Sequence, residues 1–364
     1  MERTKIGLIG CGNISSIYLK NLNQRFKTVT VDAVADLIPG RAAEQAARFG
    51  VPRILETEAL LHDPAIDLVL NLTTPQGHTE ICRRALLAGK PVYVEKPLSI
   101  SLEDGRSLQK LAAERGLLLG GAPDTFMGAG IQTCLDLIRS GVIGRPVGAT
   151  AFMTSHGHES WHPDPEFYYQ TGGGPMFDMG PYYLTALFAL LGPVRRVTGS
   201  AAISFPQRTI TSEKKKGQLI DVEVPTHVAG ILDFVSGAVG TILTSFDVWS
   251  AELPHIEIYG SLGTLSVPDP NTFGGPVRMR LAGQDTFGEV PITRSYTDNS
   301  RGLGIADMAR ALAAGRNDHR ASGDLALHVL EAMHGFLQAS ASGQHYLMQS
   351  TTAVPETVDP NRQY

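Results

Sequence analysis

Two short motifs in the N-terminal third of the chain carry residue types suited to chemistry, and each follows an apolar run. Residues 10–15 read Gly-Cys-Gly-Asn-Ile-Ser, and residues 95–97 read Glu-Lys-Pro. A glycine pair directly after a strand favours a turn that seats a dinucleotide pyrophosphate. Lys96 falls where a parallel strand ends, which is where such sheets bind ligands. Together the motifs predict a nicotinamide-dependent oxidoreductase with a lysine as its proton-transfer group.

The glycine motif is the predicted pyrophosphate site. Gly10 allows the tight turn, Gly12 lets the backbone approach the pyrophosphate, and Asn13 and Ile14 complete the loop. Ser15 takes the position of the third glycine in such motifs. Its side chain is small, so close packing against the strand is expected to survive with a slightly displaced helix.

Asp36 ends the next apolar run and is the predicted ribose ligand. A carboxylate there accepts hydrogen bonds from the adenosine ribose and repels the 2′-phosphate of NADP, so NAD is the favoured cofactor. Arg41 keeps NADP open, because a nearby arginine accommodates that phosphate. The alternative role for Asp36 is that of a surface turn residue before the Pro-Gly pair at 39–40.

The turn after the third apolar run is predicted to line the nicotinamide half of the site. Thr73, Thr74 and Pro75 would contribute backbone and hydroxyl groups, and His78 opens the following helix. The alternative is an ordinary strand-to-helix turn.

Lys96, preceded by Glu95, is the predicted catalytic group. A lysine side chain titrates near about 10.4, and burial against apolar walls lowers that pKa into a useful range. We predict that both residues also line the cofactor site.

Composition sets the broad class of the protein. The chain has 364 residues, of which 43% are hydrophobic and 18% charged, so two globular domains are expected. The net charge of −5 argues against nucleic-acid and anionic-membrane partners. The three cysteines are far apart, and residues 1–5 run straight into an apolar strand without a signal peptide. These features favour a cytoplasmic protein without a disulfide framework or a thiolate metal site.

The first part of the chain alternates strand and helix patterns. The predicted strands are 6–9, 29–35, 66–72, 91–94 and 117–119, and the predicted helices are 41–49, 78–88 and 101–115. Repeated βαβ units of this length predict a doubly wound parallel Rossmann sheet over residues 1–122.

The pattern changes after residue 122. Helices are predicted at 131–139 and 176–191, strands at 222–234, 238–248, 255–259 and 264–267, and closing helices at 304–314 and 324–339. Residues 123–364 are therefore predicted to form an α+β domain with an open, largely antiparallel sheet, whose last helices can pack back on the first domain. An exposed sheet face favours a homodimer or homotetramer.

A histidine-rich segment stands out in the second part. The residues predicted to bind substrate are His156, His158, Trp161 and His162. Histidines hydrogen-bond polyols and tryptophan stacks on sugar faces, whereas a structural loop is the main alternative. The His-x-His spacing also suits a metal, although we predict none. Tyr168 and Tyr169 carry the same ambiguity.

Several motifs of the chain resemble those of the glucose–fructose oxidoreductase, inositol dehydrogenase and rhizopine-catabolism (Gfo/Idh/MocA) family. They are the glycine motif at 10–12, Asp36, the turn of Thr74, Pro75 and His78, residues 88–98 and the closing segment 329–343. The resemblance extends over nearly the whole chain. It implies a Rossmann domain followed by an α/β domain whose open sheet often makes oligomer contacts. It also implies hydride transfer between a secondary alcohol of a sugar or polyol and the nicotinamide, with Lys96 taking the hydroxyl proton.

The resemblance further implies an aspartate and a histidine four residues apart on one helix. Asp178 matches the aspartate, and Tyr182 takes the place of the histidine. Residues at this spacing share a helix face, so both are predicted as catalytic-site residues. Tyrosine is a poor proton shuttle near neutral pH, which leaves Lys96 as the expected acid–base group. Structural packing is the alternative for Tyr182.

Two residues stay open. Asp124 either faces the ligand or caps the next helix, and Arg301 either binds an acidic group of the substrate or pairs with a neighbouring acid.

The sequence thus predicts an NAD(P)-dependent dehydrogenase acting on a secondary hydroxyl of a sugar, glycoside or cyclitol. One alternative is a redox-neutral glycosidase that retains its nicotinamide. The other is a non-enzymatic sugar-sensing regulator, for which the lysine of the Glu-Lys-Pro motif has little use.

Overall fold

The computed structural model describes residues 3–359 and Tyr364. Met1 and Glu2, which belong to the segment without a predicted signal peptide, lie outside the described residues. The chain divides into two compact units. The first unit comprises Met1–Met127, Asp298–Leu327 and Val358–Tyr364, and the second comprises Gly128–Thr297 and His328–Thr357. None of the described helices is both long and apolar enough to cross a lipid bilayer.

Strands and helices alternate in the first half of the chain and segregate in the second. The strands are β1 Thr4–Ile9, β2 Val29–Ala35, β3 Arg53–Ile54, β4 Leu68–Asn71, β5 Val92–Val94, β6 Leu119–Gly121, β7 Pro146–Thr154, β8 Val194–Ala202, β9 Gln207–Thr209, β10 Leu219–Asp221, β11 His227–Phe234, β12 Val239–Ser245, β13 Ile256–Gly260, β14 Gly263–Val267, β15 Val277–Leu281, β16 Gly288–Val290 and β17 Tyr346–Leu347. The helices are α1 Ser15–Gln24, α2 Pro39–Phe49, α3 Thr57–His62, α4 Pro75–Leu87, α5 Leu102–Arg115, α6 Ala129–Arg139, α7 Gly174–Asp178, α8 Gly180–Leu191, α9 Leu303–Ala313 and α10 Gly323–Ser342.

The first unit contains a parallel sheet in the order β3-β2-β1-β4-β5-β6, which confirms the predicted doubly wound Rossmann fold. The strand order reverses beside β1, whose neighbours are β2 and β4. A reversal of this kind opens a crevice at the carboxyl ends of the strands, where such sheets bind ligands. The strands are buried almost throughout, as expected of a sheet covered on both faces.

The register of the sheet aligns the ends of its central strands. Ile9 pairs with both Ala35 and Asn71, and Asn71 in turn pairs with Val94. The residues that follow these four strand ends therefore leave the sheet along one edge, here called the carboxyl edge. Four segments start from the carboxyl edge, and their first residues are Gly10, Asp36, Leu72 and Glu95.

Local capping residues begin or end two helices of the first unit. Ser101 accepts a hydrogen bond from the backbone N–H of Asp104 at 3.1 Å and starts α5. Gly50 follows α2 and Gly116 follows α5, both with left-handed backbones (φ 68° and 62°) that glycine adopts without steric cost. The sequence therefore fixes these helix ends locally.

The first unit also contains a segment that sequence order assigned to the second domain. Asp298–Leu327, which includes α9, groups with residues 1–127 and not with 128–297. The Gly121 N–H donates to the Ala321 carbonyl at 3.1 Å, and one Asp124 oxygen accepts from the N–H groups of Gly302 and Gly304, each at 2.9 Å. These bonds connect residues far apart in sequence, which is why a linear division after residue 122 does not describe the unit.

The second unit is built on a nine-stranded mixed sheet in the order β16-β15-β14-β13-β7-β12-β11-β8-β17. Its pairs are antiparallel except for β12 with β7, which confirms the predicted open, largely antiparallel sheet. Strands β9 and β10 form a separate two-stranded ribbon. Exposed and buried residues alternate along β12, so its two faces differ in their exposure to solvent.

The predicted helix at 176–191 is two helices, α7 and α8. Met179 separates them with a backbone at φ −109° and ψ −26°, and α8 restarts with Gly180 and Pro181. Pro181 has no backbone N–H to donate into the preceding turn, which explains the interruption. Every residue of α8 is buried.

A buried histidine links the stability of the second unit to pH. His328 lies in α10, its Nε2 accepts from the Val194 N–H at 3.1 Å, and its Nδ1 lies 2.9 Å from the Ser350 hydroxyl. Burial lowers the pKa of His328 to about 4. The unfolded chain, with a histidine pKa of about 6.5, binds more protons as the pH falls between these values.

We therefore expect acid to destabilise the protein through His328. Its contribution is complete above about pH 6.5, and about 2 kcal/mol of the free energy of unfolding is lost between about pH 7 and about pH 5. The variant His328→Gln keeps an acceptor and a donor and should flatten this part of the pH dependence in urea unfolding. The exposed His62→Gln is the control, and equal slopes for the two variants would contradict the assignment.

Candidate functional site

Gly10 is required by the turn at the end of β1. Its backbone lies at φ 101°, and a Cβ there would approach the Leu72 carbonyl carbon to 2.5 Å. Either condition alone excludes larger residues. The turn thus passes directly over the neighbouring strand end, as the first glycine of a dinucleotide loop must.

Gly12 faces open space. A Cβ on Gly12 would meet no atom within 4 Å, unlike one on Gly10. Ser15 follows at the start of α1, fully buried, and its hydroxyl donates to the Gly12 carbonyl at 2.6 Å. The small serine is therefore accommodated in place of the third glycine. The loop presents open backbone beside the N-terminus of a ten-residue helix, an arrangement that fits a pyrophosphate.

Asp36 is held by the backbone around it. Its Oδ2 accepts from the Cys11 N–H and its Oδ1 from the Ile38 N–H, both at 2.7 Å. These bonds fix the carboxylate next to the glycine turn. Arg41, the residue that kept NADP open as a cofactor, is exposed in the first turn of α2. Its backbone N–H donates to the Ile38 carbonyl.

We expect Asp36→Asn to change cofactor preference. Removing the charge removes repulsion of a 2′-phosphate, while the amide oxygen still accepts one of the backbone bonds. The ratio of NADP to NAD affinity, measured by titration of each nucleotide, should rise about tenfold or more. Glu44→Gln removes the same charge from the exposed face of α2 and should leave the ratio unchanged. An unaltered ratio in Asp36→Asn would refute the assigned role.

Two apolar side chains beside Asp36 were not predicted. Leu37 is 95% exposed and Ile38 is 48% exposed, although both directly follow a buried strand. Exposed apolar side chains next to a carboxylate are suited to packing against the flat face of an aromatic ring. Their signal in the sequence, an apolar pair after the aspartate, is common in ordinary turns.

The turn after β4 is organised by Asn71, another residue that the sequence did not single out. Asn71 is fully buried, and its Oδ1 accepts from the Thr73 N–H at 3.2 Å and the Thr73 hydroxyl at 2.7 Å. Its amide donates to the His78 carbonyl at 3.1 Å. Thr74 is exposed at the N-cap position of α4, and Pro75 is the first residue of that helix. Thr73 is therefore oriented by a side chain beneath it.

His78 joins this turn to the Glu-Lys-Pro motif. It is 1% exposed, with Nδ1 at 2.7 Å from the Pro97 carbonyl oxygen and Nε2 at 3.1 Å from the Thr73 carbonyl oxygen. Burial lowers the pKa of His78, which favours the neutral ring. A neutral ring has one donor, and the shorter contact favours Nδ1. His78 thus lies beneath the turn and holds the carbonyl of Pro97, next to Lys96.

Glu95 fixes the backbone of Lys96. One Glu95 oxygen accepts from the Tyr18 hydroxyl and the other from the Lys96 N–H, both at 2.8 Å. Burial, followed by the charge of Glu95, raises the pKa of Tyr18 well above its usual range, so the phenol remains a donor. Lys96 itself is half-buried at the carboxyl edge. The Glu95 carboxylate thus fixes the backbone N–H of Lys96, and the Tyr18 hydroxyl holds that carboxylate in place.

Asp124 caps a helix, although not the next one along the chain. The carboxylate is 1% exposed and accepts from the backbone at the start of α9. Burial raises the pKa of Asp124 to about 6, while the two N–H groups oppose that shift. Arg301, in the same turn, donates to Asn299 Oδ1 at 3.0 Å. The two residues left open by the sequence therefore both take part in the structure around the α9 N-terminus.

The second unit pairs Asp178 with a histidine from another element. His158 Nε2 lies 3.5 Å from Asp178 Oδ2, and the two side chains are only 12% and 17% exposed. Tyr182, which the sequence grouped with Asp178, is 7% exposed and follows the break between α7 and α8. The sequence identified all three residues but not the contact between His158 and Asp178.

His156 is fixed by stacking and by an arginine. Its ring lies parallel to that of Trp249 with centroids 3.3 Å apart, and Trp249 is 83% exposed. Its Nε2 accepts from Arg208 at 3.4 Å, which assigns the proton to Nδ1 because a guanidinium is only a donor. Burial, and then the charge of Arg208, lower the pKa of His156. Trp249 was not singled out from the sequence.

A buried ion network supports the histidine-rich segment. Arg208, from β9, is 5% exposed and lies 3.0 Å from Glu159 Oε1 and 2.8 Å from Asp247 Oδ1. The Tyr169 hydroxyl donates to the other oxygen of Glu159. Asp247 also accepts from the Thr226 hydroxyl at 2.7 Å. Charges buried together in this way hold a loop in one conformation when each has its partners.

The remaining predicted substrate residues are more accessible. Trp161 is 62% exposed. His162 is half-buried, and its Nδ1 accepts from the Asp164 N–H at 3.1 Å, which leaves the proton of the neutral ring on Nε2. Among the described residues, no group of three or more His, Cys, Asp or Glu side chains is arranged to hold a metal ion.

Comparison with known proteins identifies the class of protein to which this chain belongs. Residues 4–121 match a family described as "Oxidoreductase family, NAD-binding Rossmann fold", so the protein is of the NAD-binding oxidoreductase class. Residues 131–266 match the C-terminal domain of the same family. The chain belongs to the Gfo/Idh/MocA family, as its motifs predicted.

The proteins that this chain resembles include a sugar reductase and an inositol dehydrogenase. The chain is 32% identical over 202 residues to a dTDP-3,4-didehydro-2,6-dideoxy-alpha-D-glucose 3-reductase of Streptomyces antibioticus, a match that spans 54% of this chain and 60% of the relative. It is 27% identical over 264 residues to the myo-inositol 2-dehydrogenase of Thermotoga maritima, covering 72% and 74% of the two chains. The solved structure of levoglucosan dehydrogenase in complex with NADH shares the fold, with a TM-score of 0.80, 20% identity and coverage of 96% and 100%.

Proposed function

We propose that this protein oxidises a secondary hydroxyl of a sugar, glycoside or cyclitol to the ketone, or catalyses the reverse reduction, with Lys96 as the acid–base group. The observation that carries the proposal is the common register of the strand ends before Gly10, Asp36 and Glu95. A nucleotide-binding turn, a ribose ligand and a lysine start from one edge of one sheet. The relatives named above, which are sugar and inositol oxidoreductases by name, support the substrate class.

Lys96 has one task in this reaction. A neutral alcohol is a poor hydride donor and an alkoxide is a good one, so the hydroxyl proton must leave as the C–H bond breaks. Neutral Lys96 Nζ accepts that proton, and in the reverse direction the ammonium returns it to the carbonyl oxygen. Bound NAD would supply the acceptor for the hydride that leaves the same carbon. Each turnover therefore yields one ketone, one transferred hydride and one proton on Lys96.

The cofactor is held by the carboxyl edge. The proposed ligands are Gly10, Gly12, Asn13, Ile14, Asp36, Thr73, Thr74 and Pro75. The open space over Gly12 and the fixed carboxylate of Asp36 support this assignment. His78 and Glu95, which the sequence counted with them, have their polar atoms engaged by the protein and are better suited to positioning Thr73 and Lys96.

The second unit supplies the proposed substrate contacts. Their accessibility favours Trp161 and His162, since a stacking ring and an imidazole N–H suit a polyol. His156 and Tyr182 are more enclosed and fit a supporting role. Asp178 is proposed to accept a hydrogen bond from a substrate hydroxyl.

We further propose a cytoplasmic homodimer or homotetramer. The three cysteines are all free and buried, which suits a reducing compartment. Apolar side chains such as Ile231 (39% exposed) and Val239 (49% exposed) lie on β11 and β12, two adjacent inner strands of the sheet, and would be covered by a second copy. Sedimentation at several concentrations tests this, and a monomer at all of them would refute it.

The direct test of the proposed function is the formation of NADH. The protein is incubated with NAD or NADP and a panel of monosaccharides, glycosides and inositols, while NADH absorbance and the carbohydrate product are followed. We expect one substrate class to yield NADH and a ketone in equal amounts. Cleavage of a glycoside without net NADH would instead support the redox-neutral reaction, and no product from any compound with NAD bound would refute the proposal.

A further inference from the structure

We infer that His158 is a positioning residue for Asp178, holding its carboxylate in the orientation that the substrate requires. This inference rests on the proposed function for the role of Asp178, whereas the pairing itself rests on geometry. The two residues come from different elements, His158 from the segment after β7 and Asp178 from the end of α7. The sequence predicted Asp178 as a catalytic-site residue and His158 as a separate substrate contact, and it left the acid–base role to Lys96.

The contact has the form of an orienting carboxylate–imidazole pair. His158 Nε2 lies 3.5 Å from Asp178 Oδ2, within the range of an ion pair and at the outer limit of a hydrogen bond. Both side chains are more than four-fifths buried, at 12% and 17% exposure. Low exposure strengthens such a pair because solvent screens it less. Unliganded sites commonly hold contacts of this kind slightly long.

Aromatic rings determine the plane of His158. Tyr168 stacks on it with centroids 3.7 Å apart and 9° between the planes, and the edge of Phe246 meets it at 4.7 Å and 78°. Trp161 lies at 5.3 Å on a tilted plane. The ring cannot rotate about its bonds without losing these contacts. Its Nε2 therefore remains directed toward Asp178.

The backbone of His158 is anchored by the ion network beside it. Glu159, the next residue, is 9% exposed at its side chain and paired with Arg208, and its carbonyl accepts the Thr211 and Ser212 N–H groups, each at 2.9 Å. The His158 carbonyl accepts the His162 N–H at 2.9 Å. A ring fixed on both its plane and its backbone is suited to fixing a neighbour.

The charged and titratable groups around His158 leave Asp178 as its close acidic partner. Glu159 is engaged by Arg208 and by the Tyr169 hydroxyl. Arg208 is shared among Glu159, Asp247 and His156 and points at the neighbouring histidine. From the segment 166–169, Tyr168 presents its ring face, and His162 meets the edge of Tyr168 at 5.4 Å. Asp178 is therefore the carboxylate that lies against the His158 ring nitrogen.

In this pairing the net charge around the Asp178 carboxylate depends on the protonation of His158. With His158 neutral the pair carries one negative charge, and with His158 protonated the pair is neutral. Substrate hydrogen bonds to Asp178 thus change with the protonation of His158. Lys96 remains the group that takes the hydroxyl proton.

The first test measures the pair without activity. The imidazole of His158 is followed by NMR across pH in protein labelled at histidine, in the wild type and in Asp178→Asn. Loss of the carboxylate should lower the pKa of His158 by about one unit. His156, which faces Arg208 and not Asp178, is the internal control and should not shift. Identical His158 titrations in the two proteins would overturn the inference.

The second test separates positioning from folding. His158→Gln retains an N–H donor, and His158→Phe retains the stacking on Tyr168 but has no donor. We expect both to unfold at the wild-type temperature within a few degrees, with KM raised about tenfold in His158→Phe and less in His158→Gln. Both should lose the inflection of kcat/KM that follows His158 protonation. Retention of that inflection would contradict the role. A rise in KM that is accompanied by a large fall in the unfolding temperature would also contradict it, because it would indicate a structural defect.

The two failures are distinguishable. A His158 shift in Asp178→Asn with no dehydrogenase activity on any substrate would leave the pair intact and refute the proposed function. Activity without such a shift would do the opposite.

Discussion

Replacing Lys96 by methionine is expected to lower kcat by about 10²- to 10⁴-fold, the usual loss on removing a general acid–base group. The methionine side chain is about as long as the methylene stem of lysine and is also apolar, but it has no group that accepts a proton. The backbone bond from the Lys96 N–H to Glu95 does not depend on the side chain, so the turn should persist. NAD affinity should remain within about threefold, because Lys96 acts on the substrate hydroxyl.

The matched control is Lys110→Met. Lys110 lies in α5, 78% exposed and paired with Glu114, so it undergoes the same chemical change without a role at the carboxyl edge. Its kcat should equal that of the wild type. Near-normal turnover in Lys96→Met with NAD still bound would show that another group takes the proton.

The two glycines of the pyrophosphate turn are expected to fail in different ways. Gly10→Ala combines a φ of 101° with a Cβ contact of 2.5 Å to backbone, and we expect the free energy of unfolding to fall by about 3 kcal/mol. Gly12→Ala adds a methyl group to open space, so stability should change by less than about 0.5 kcal/mol. The methyl group then occupies the space a pyrophosphate needs, and NAD affinity should fall at least about tenfold.

Thermal unfolding without cofactor and NAD titration separate the two effects. Each variant controls the other, since both make the same glycine-to-alanine change in one loop. Gly12→Ala that binds NAD normally would show that the backbone of this loop does not approach the nucleotide. Gly10→Ala with wild-type stability would contradict the close approach to Leu72.

Much of the first unit follows from local sequence. Buried parallel strands appear as continuous apolar runs, and glycine or serine marks the helix ends, as at Ser101 and Gly116. The positions of Gly10, Asp36 and Lys96 at strand ends then require a common edge, because parallel strands all end on the same side. Strand β3, with only Arg53 and Ile54, is too short to produce a pattern.

The second unit was less predictable, for a physical reason visible in β7 and β8. β7 reads Pro-Val-Gly-Ala-Thr-Ala-Phe-Met-Thr, and its small residues and two threonines give no apolar run. β8 contains two arginines, and its only buried residues are Val194 and Val197. Such strands are defined by their neighbours in the sheet and not by their own composition.

The site residues divide in the same way. Position in a motif singles out Lys96 and Asp36, and the family resemblance singles out Asp178; each of the three lies at or just beyond the end of a strand or helix. The groups that hold them, such as Asn71 beneath Thr73 and His158 beside Asp178, act through contacts across the fold. Linear spacing placed Tyr182 on one predicted helix with Asp178, but the helix breaks at Met179. His158, from the segment after β7, lies 3.5 Å from the Asp178 carboxylate.

The proposed reaction requires direct hydride transfer from a carbohydrate carbon, coupled to proton removal by Lys96. The substrate found in the panel is therefore deuterated at the carbinol carbon and incubated with NAD. We expect each ketone formed to be matched by one deuterium on the nicotinamide ring of NADH. Ketone or cleavage product that forms without deuterium on the nicotinamide would contradict it.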